Sequence, residues 1–312
     1  MTLFFNLIIL GVSIVLLYYG ARYLVRGSAN LGRIMGIKPI IIGLTVVAFG
    51  TSMPEFLVSL FGVIQNASDI SVGNVIGSNI ANIGLILGTA GLIAPISLKY
   101  SNVRQQLIIL LMGSLFFTLL AFNGISRLEG ILFVLLLVVY IFFLSRNSKK
   151  EEELLKELPE EDLSVPRNVL FTLGGILGLV LASKGIIDSA SYIAAYFGIS
   201  QMVIGMTVVA IGTSLPELAA SIMAQIRQES DISIGNVIGS NLFNMFFVAG
   251  GAATAKGLPI DTGIYRFEVP VMLLFTVLLF PVIFLSKGIR RPHAALLLLL
   301  YVLFIVISYL WR

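Results

Sequence analysis

The chain of 312 residues has no cysteine, a single histidine and few charged residues. Without cysteine it can form neither a disulfide nor a thiolate metal site. The histidine, His293, follows Arg290 and Arg291, a setting typical of a solvated residue near lipid headgroups rather than of a ligand or a general base. We therefore expect no catalytic residue and no cofactor.

Charged residues make up 12% of the chain, whereas they approach a quarter of a soluble domain, and 58% of the residues are hydrophobic. This composition indicates an integral membrane protein. The net charge of +4 comes from basic residues at the ends of apolar segments, so membrane lipid rather than nucleic acid is the expected partner. The apolar N-terminus lacks the basic region of a signal peptide and is predicted to be a spanning helix.

A spanning helix needs about 20 mostly apolar residues. This criterion predicts ten helices, near 3–25, 39–65, 70–94, 103–123, 126–145, 168–188, 200–226, 232–256, 268–286 and 293–311. The mixed-charge segment 146–167 is predicted to be a solvated linker between two halves, 1–145 and 168–312. Because each half has an odd number of helices, the second enters the membrane from the opposite side. The predicted fold is an all-α polytopic membrane protein made of two inverted five-helix repeats.

Basic residues predict the orientation, since cytoplasmic loops are rich in lysine and arginine. Those beyond the helix ends fall mostly on the side of the linker, and the other side has only Arg127, Lys256, Arg266 and Arg312. The linker is therefore predicted to be cytoplasmic in a plasma membrane, with both termini outside. The loop from Asp188 to Gln201 has no basic residue, unlike its counterpart after helix 1.

The two halves repeat one sequence. Residues 40–82 and 202–244 align without a gap and are identical at 25 of 43 positions. The repeat contains two copies of a polar motif, Gly50-Thr51-Ser52-Met53-Pro54-Glu55 and Gly212-Thr213-Ser214-Leu215-Pro216-Glu217. Because identity is concentrated in helices 2, 3, 7 and 8, we expect those helices to carry the function.

Each motif resembles a capping box, in which a serine caps a helix and a glutamate reaches back to it. The motif lies in the middle of a spanning segment, so a helix that begins at Ser52 or Ser214 requires a break in mid-membrane. Such a break is tolerated where the backbone lines a cavity or is buried in protein. Helices 2 and 7 are therefore predicted to be discontinuous, as in transporters.

The two glutamates indicate a cation site. A charge at the bilayer centre costs about 2.5 to 3.5 kcal/mol and usually has a function. No basic residue lies at the depth of Glu55 and Glu217, because Arg22 and Lys184 are predicted near helix ends. Two such carboxylates must either take up protons or bind cations.

Helices 3 and 8 offer neutral oxygens beside the glutamates. Ser78 and Asn82 share one helix face, and Ser240 and Asn244 repeat them. Hydrogen bonding between helices is the alternative role of these side chains. Asp69 and Asp231 are interpreted as N-caps. Oxygen ligands without sulfur or imidazole suit hard cations such as Ca²⁺, and Na⁺ can compete for the same negative charges.

The two Gly-Thr-Ser-x-Pro-Glu copies and the two Gly-Asn-Val-Ile-Gly-Ser-Asn copies resemble the α-repeats of the Ca²⁺/cation antiporter superfamily, in particular its Na⁺/Ca²⁺ exchanger branch. The resemblance implies Ca²⁺/Na⁺ exchange by alternating access, with helices 1 and 6 sliding across the others. It implies ion ligands at twelve positions: the carboxylates of Glu55 and Glu217, the backbone oxygens of Ala48, Thr51, Ala210 and Thr213, the hydroxyls of Ser52, Ser78, Ser214 and Ser240, and the amides of Asn82 and Asn244.

Asn244 stands where some relatives carry aspartate, which argues against K⁺ co-transport. The linker is too short for a regulatory domain, and we expect the chain to function as a monomer. Three alternatives remain open: a Ca²⁺/H⁺ exchanger of the same fold, a cation channel, and an intramembrane hydrolase built on Ser52 or Ser214. The hydrolase is disfavoured because it would lack a histidine or lysine partner at depth.

Overall fold

The computed structural model describes residues 2–98, 100–147, 163–199, 208, 210–286 and 288–311. Residues 148–162 of the linker predicted at 146–167, and residues 200–207 and 209 of the helix predicted at 200–226, lie outside the described residues. The helices are α1 Leu3–Ile34, α2 Pro39–Thr51, α3 Met53–Ile64, α4 Ser68–Ile93, α5 Tyr100–Leu120, α6 Arg127–Asn147, α7 Val165–Tyr196, α8 Ala210–Thr213, α9 Leu215–Ile226, α10 Ser230–Lys256, α11 Glu268–Ser286 and α12 Arg291–Trp311.

Eight of these helices are long and apolar enough to span a membrane, counted over the described part of the chain. The pair α2 and α3 meets at 46° and makes a ninth if it is taken as one span. α9 is shorter, and the residues that would extend it toward its N-terminus include the undescribed ones. The prediction of an all-helical, multi-pass membrane protein is confirmed.

Helices α1 and α7 are longer than predicted. They were expected to end near residues 25 and 188, yet they continue to Ile34 and Tyr196. Each then closes with a glycine of positive φ, Gly36 at 66° and Gly198 at 82°, a common helix C-terminus. Hydropathy measures only the apolar length, and a helix can continue through the interface into water. Arg22 and Lys184 consequently lie within helices rather than near their ends, and much of the loop predicted from residue 188 onward is helical.

Glycines bring α1 and α7 into direct backbone contact. A Cβ on Gly20 would meet the backbone of Gly175 and Gly178 at 3.2 Å, and one on Gly27 would meet Asn168 and Thr172. As residue numbers rise along α1 they fall along α7, so the two helices pack antiparallel. Small residues at such positions are typical of packing between membrane helices.

The centre of the molecule is formed by α4 and α10. In α10, 94% of the most apolar window is buried inside the protein, and in α4 72%, against 17% in α1 and 22% in both α6 and α12. α4 and α10 therefore form the core, whereas α1, α6 and α12 present most of their side chains outward, as expected of helices that face lipid.

The two halves exchange equivalent contacts. β1, Ile96–Ser97, follows α4 and pairs antiparallel with β2, Gly288–Ile289, which precedes α12. In the other half, Leu258 follows α10 and pairs with Ile125, which precedes α6, through two backbone hydrogen bonds of 2.8 Å. Helix α12 thus packs on α4 while α6 packs on α10. Each half places its last helix against the central helix of the other.

Candidate cation site

Both polar motifs form a helix break at the serine. Ser52 lies between α2 and α3 with φ −79° and ψ 5°, and Ser214 lies between α8 and α9 with φ −85° and ψ 4°. The proline that follows fits the first turn of the new helix, where no backbone N–H is needed. Neither serine hydroxyl makes the predicted capping hydrogen bond. The capping-box interpretation is therefore wrong for the side chains.

Each serine instead contacts the glutamate of the other motif. The Ser52 hydroxyl donates to Glu217 Oε1 at 3.1 Å, and the Ser214 hydroxyl donates to Glu55 Oε1 at 3.2 Å. Both glutamates are 1% exposed. Because a hydroxyl can satisfy only one carboxylate oxygen, the two crossed hydrogen bonds join the halves and leave one oxygen of each carboxylate available.

Four buried oxygens at the site have no hydrogen-bond partner among the described residues. They are Oε2 of Glu55, Oε2 of Glu217, Oδ1 of Asn82 and Oδ1 of Asn244. Buried polar atoms are nearly always paired, so each unpaired one needs an explanation. Carboxylate and amide oxygens of this kind are ligands that hard cations take.

The two asparagines start matching distortions of the central helices. The π-helical segments Asn82–Ile86 in α4 and Asn244–Ala249 in α10 begin at them. π-segments within α-helices are frequent at functional sites. The amide of Asn82 donates to Asn241 Oδ1 at 2.9 Å, whereas neither side-chain polar atom of Asn244 has a partner in the described part of the chain. The two halves therefore differ at this pair.

Threonine and serine hydroxyls complete the cluster. Thr51 Oγ1 donates to Asn236 Oδ1 at 3.2 Å and lies 3.5 Å from the Ser240 hydroxyl. On the other side the Ser214 hydroxyl lies 3.4 Å from that of Ser78, and Thr213 donates to Asn74 at 3.5 Å. The predicted hydroxyl residues are thus brought together around the glutamates.

Among the predicted backbone ligands, the carbonyl of Ala48 is already engaged in hydrogen bonding. The carbonyl of Ala48 accepts a hydrogen bond from Ser52 N at 3.0 Å, and Thr51 Oγ1 lies 3.3 Å from it. In the other motif Ser214 N bonds to the carbonyl of Ile211 at 3.1 Å. The side chain of Ala210 is not described. Ala48 would have to give up a hydrogen bond to bind an ion.

Asn74 and Asn236 position the glutamates and are absent from the predicted set. Their amides donate to the backbone oxygens of Glu55 and Glu217 at 3.0 and 3.3 Å. They also donate to the hydroxyls of Ser59 and Ser221, at 2.9 and 3.0 Å. Ser59 and Asn74 recur 162 positions later as Ser221 and Asn236. This repetition is a signal in the sequence from which the two asparagines could have been predicted.

The described part of the site has two carboxylates, those of Glu55 and Glu217. Among the described residues, no cluster of three or more His, Cys, Asp or Glu side chains could hold a metal. Asp69 and Asp231 are in the first turns of α4 and α10, but the N-caps there are Ala67 and Glu229, so the predicted capping role of the aspartates is wrong. A cation would be held by two charges and by neutral oxygens.

The profile of the family described as "Sodium/calcium exchanger protein" matches residues 5–146 and 167–310. The chain belongs to this exchanger family. It is therefore a membrane antiporter and not an enzyme, and the Ca²⁺ and Na⁺ of the family are transported ions rather than cofactors.

Proteins from a bacterium and from archaea resemble the chain over most of its length. Inner membrane protein YrbG of Escherichia coli (strain K12) is 37% identical over 277 residues, 86% of this chain and 85% of that protein. Sodium/calcium exchanger MaX1 of Methanosarcina acetivorans is 34% identical and covers 97% of this chain and 98% of its own. A solved structure of the sodium-calcium exchanger NCX_Mj, soaked with 10 mM Na⁺ and zero Ca²⁺, matches with a TM-score of 0.87 at 31% identity, covering 98% and 99%.

Proposed function

We propose that this exchanger-family chain moves Ca²⁺ across the membrane in exchange for Na⁺, at the site formed by Glu55 and Glu217. The observation that carries the proposal is the pair of crossed Ser–Glu hydrogen bonds, which leaves one buried oxygen on each carboxylate without a partner. The empty site has two negative charges. One Ca²⁺ neutralises both, and Na⁺ ions compete for them, so binding of one ion favours release of the other.

The other predicted ligands complete the proposed site. We assign ion-binding roles to the oxygens of Ala48, Thr51, Ala210 and Thr213, to the hydroxyls of Ser52, Ser78, Ser214 and Ser240, and to the amides of Asn82 and Asn244. Hydroxyl and amide oxygens suit Na⁺ and Ca²⁺ alike. The printed names of MaX1 and NCX_Mj support these two ions.

We further propose ten spanning helices in two inverted halves, 1–145 and 168–312, joined by a cytoplasmic linker, with both termini outside. Matching elements 162 residues apart support this arrangement: α1 with α7, α3 with α9, and the π-segments with each other. The reciprocal pairing of Ile96 with Ile289 and of Ile125 with Leu258 also supports it. One chain contains the whole site, so a monomer would suffice for exchange.

Transport by the purified protein tests the proposal. Proteoliposomes loaded with Na⁺ should accumulate radiolabelled Ca²⁺ when diluted into Na⁺-free buffer, and collapse of the Na⁺ gradient by an ionophore should stop uptake. K⁺ and H⁺ gradients are applied separately to the same vesicles. No uptake with any of the three gradients would refute exchange.

Ca²⁺/H⁺ exchange is the second candidate, because two buried carboxylates can carry two protons in place of one Ca²⁺. Uptake driven by a pH gradient in the absence of Na⁺ would favour it. Current steps from single molecules in a planar bilayer would indicate a channel instead and would contradict both forms of exchange.

A further inference from the structure

A serine of α7 reaches the helix break in the second polar motif. The hydroxyl of Ser183 donates a hydrogen bond of 2.7 Å to the backbone oxygen of Gly212, in the short helix α8. Ser183 is 1% exposed, and Gly212 is also buried. The hydrogen bond therefore joins α7 to the residues that directly precede the break at Ser214.

The backbone oxygen of Gly212 needs such a donor because of the proline in the motif. In an α-helix the oxygen of one residue accepts a hydrogen bond from the N–H of the residue four positions later. Four positions after Gly212 comes Pro216, which has no N–H. A buried backbone oxygen without a donor is costly. Ser183 supplies from another helix the hydrogen bond that Pro216 cannot make.

The direction of this hydrogen bond differs from that of other buried hydroxyls on the long helices. Ser28 donates to the backbone oxygen of Leu24 at 2.6 Å, and Ser114 donates to that of Leu110 at 2.8 Å. Both bonds stay within one helix, the usual arrangement for a serine in a membrane helix. Ser183 bonds instead to a residue of another helix, so its hydroxyl connects two elements.

The first half of the chain cannot make the equivalent hydrogen bond. The bounds of α1 and α7 lie 162 positions apart, and the position equivalent to Ser183 holds Ala21, which has no hydroxyl. The first motif nevertheless has the same break, with Pro54 four positions after Gly50. The hydrogen bond is therefore a property of the second motif and not a requirement of the break itself.

Helix α7, which carries Ser183, packs directly against both motifs. A Cβ on Gly50 would collide with the side chain of Ile176, and one on Gly212 would collide with that of Ile187. Both isoleucines belong to α7. The glycines therefore let α7 approach the backbone at each break, and Ser183 adds a directional bond at the second one.

The residue that Ser183 holds lies next to groups assigned to the ion. Thr213, whose backbone oxygen is a proposed ligand, directly follows Gly212. The hydroxyl of Ser214, one position further, lies 3.2 Å from Glu55 Oε1. Because the bond from Ser183 fixes the peptide group between Gly212 and Thr213, it restricts the direction of the Thr213 oxygen and of the Ser214 side chain.

We propose that Ser183 is a positioning residue of the cation site. Its hydroxyl holds the end of α8 so that the Thr213 oxygen lies beside the ion and the Ser214 hydroxyl lies beside Glu55. Ser183 acts through Gly212 and is not itself an ion ligand. The inference rests on the proposed function, since it concerns ion binding at the same site.

Ser183→Ala tests the proposal by Ca²⁺ uptake into Na⁺-loaded proteoliposomes. One hydrogen bond corresponds to about a fivefold change in an equilibrium constant, so the KM for Ca²⁺ should rise about fivefold while the maximal rate is kept. A role in folding alone would lower the maximal rate, through loss of active protein, and would leave the KM unchanged. Ser28→Ala is the matched control, because Ser28 is also 1% exposed but its hydrogen bond stays within α1. Its KM should equal that of the unmodified chain.

Pro216→Ala provides a second test. Alanine at this position has the N–H that proline lacks, and this N–H can donate to the backbone oxygen of Gly212. In the Pro216→Ala background the effect of Ser183→Ala on the KM should therefore fall below about twofold. If Pro216→Ala by itself abolishes uptake, the same four proteins are compared by their melting temperatures in ion-free detergent, where the coupling should have the same sign.

Three results would overturn the proposal: an unchanged KM in Ser183→Ala, an equal rise in Ser28→Ala, or an equal effect of Ser183→Ala with and without Pro216. Absence of uptake by the unmodified chain under every gradient would instead refute the proposed function. Melting temperatures of the four proteins would then decide whether Ser183 holds the end of α8, and equal shifts in both backgrounds would show that it does not.

Discussion

At the scale of the residue, the two glutamates differ from the other acids in the described part of the chain because each keeps one buried oxygen without a partner. We predict that Glu55→Gln and Glu217→Gln each abolish Ca²⁺ uptake. At an effective dielectric of 20, two unit charges about 4 Å apart attract by about 4 kcal/mol, so Ca²⁺ affinity should fall at least about 100-fold. Calorimetric titration with Ca²⁺ measures the affinity.

Glu129→Gln is the control for this pair. Glu129 lies in the first turn of α6, where its Oε2 accepts a hydrogen bond of 2.7 Å from Ser126 N. Its replacement should leave Ca²⁺ binding unchanged. Normal Ca²⁺ binding by either Glu55→Gln or Glu217→Gln would show that the replaced glutamate is not an ion ligand and would contradict the proposed site.

A second prediction at the scale of the residue concerns the crossed hydrogen bonds from Ser52 to Glu217 and from Ser214 to Glu55. Ser52→Ala should destabilise the ion-free protein, because a hydrogen bond to a charged group is worth about 1.5 to 3 kcal/mol. The effect should be much smaller in a Glu217→Gln background and unchanged in a Glu55→Gln background, since the hydroxyl donates to Glu217. Thermal unfolding of the single and double variants in detergent measures this coupling. Equal coupling to both glutamates would contradict the crossed arrangement.

At the scale of the element, the glycines on the side of α7 that faces α1 allow the two helices to pack closely. A Cβ on Gly175 would collide with the backbone of Leu24 and Gly20, whereas one on Gly174 would have nothing described within 4 Å. We predict that Gly175→Ala destabilises the protein by about 1 to 3 kcal/mol, because the helices must separate. Gly174→Ala is the control and should be neutral or up to about 1 kcal/mol stabilising. Melting temperatures in one detergent check both; equal shifts would contradict the packing.

Small residues also explain how helices with few polar residues pack in a defined orientation. The faces of α1 and α7 that meet contain glycines, and the opposite faces contain exposed apolar residues such as Leu173 and Leu177, 61% and 59% exposed. In lipid no hydrophobic force drives two helices together, so close backbone approach has to supply the attraction. A long apolar helix is therefore oriented by its smallest residues.

At the scale of the whole molecule, inversion of the halves can be measured at two equivalent turns. Asn66, between α3 and α4, and Gln228, between α9 and α10, have φ of 62° and 61° and stand 162 positions apart. We predict that Asn66→Cys is labelled from outside the cell and Gln228→Cys from the cytoplasm. The chain has no cysteine, so each variant carries a single thiol. A membrane-impermeant maleimide, with and without permeabilisation, makes the measurement.

Labelling of both thiols from the same side would exclude inversion, even if exchange were shown. A thiol at Asn123, in the loop before α6, is a further control on the outer side. It lies on the surface of the described structure and should be labelled together with Asn66→Cys.

Much of the architecture could be predicted because it depends on local features of the sequence, namely the length of apolar segments and a repeated motif. Apolar length placed six of the helices within about three residues of their observed bounds, for example α11 at 268–286. It failed at the ends of α1 and α7, since a helix that leaves the hydrocarbon continues without an apolar signal. The repeated motif predicted a site at Glu55 and Glu217, because a charge in an apolar run is costly wherever the chain folds.

Other features were decided only by the tertiary structure. Ser52 and Glu217 are 165 positions apart, and Asn82 and Asn241 are 159 apart. The local sequence pattern does not show which of the two matching motifs contains the hydrogen-bond partner of a serine hydroxyl. Sequence alone therefore determined that the chain spans a membrane and carries two matching acidic motifs. Packing of α4 against α10 decided that each motif completes the other, because only the folded halves bring a serine of one within hydrogen-bonding distance of the glutamate of the other.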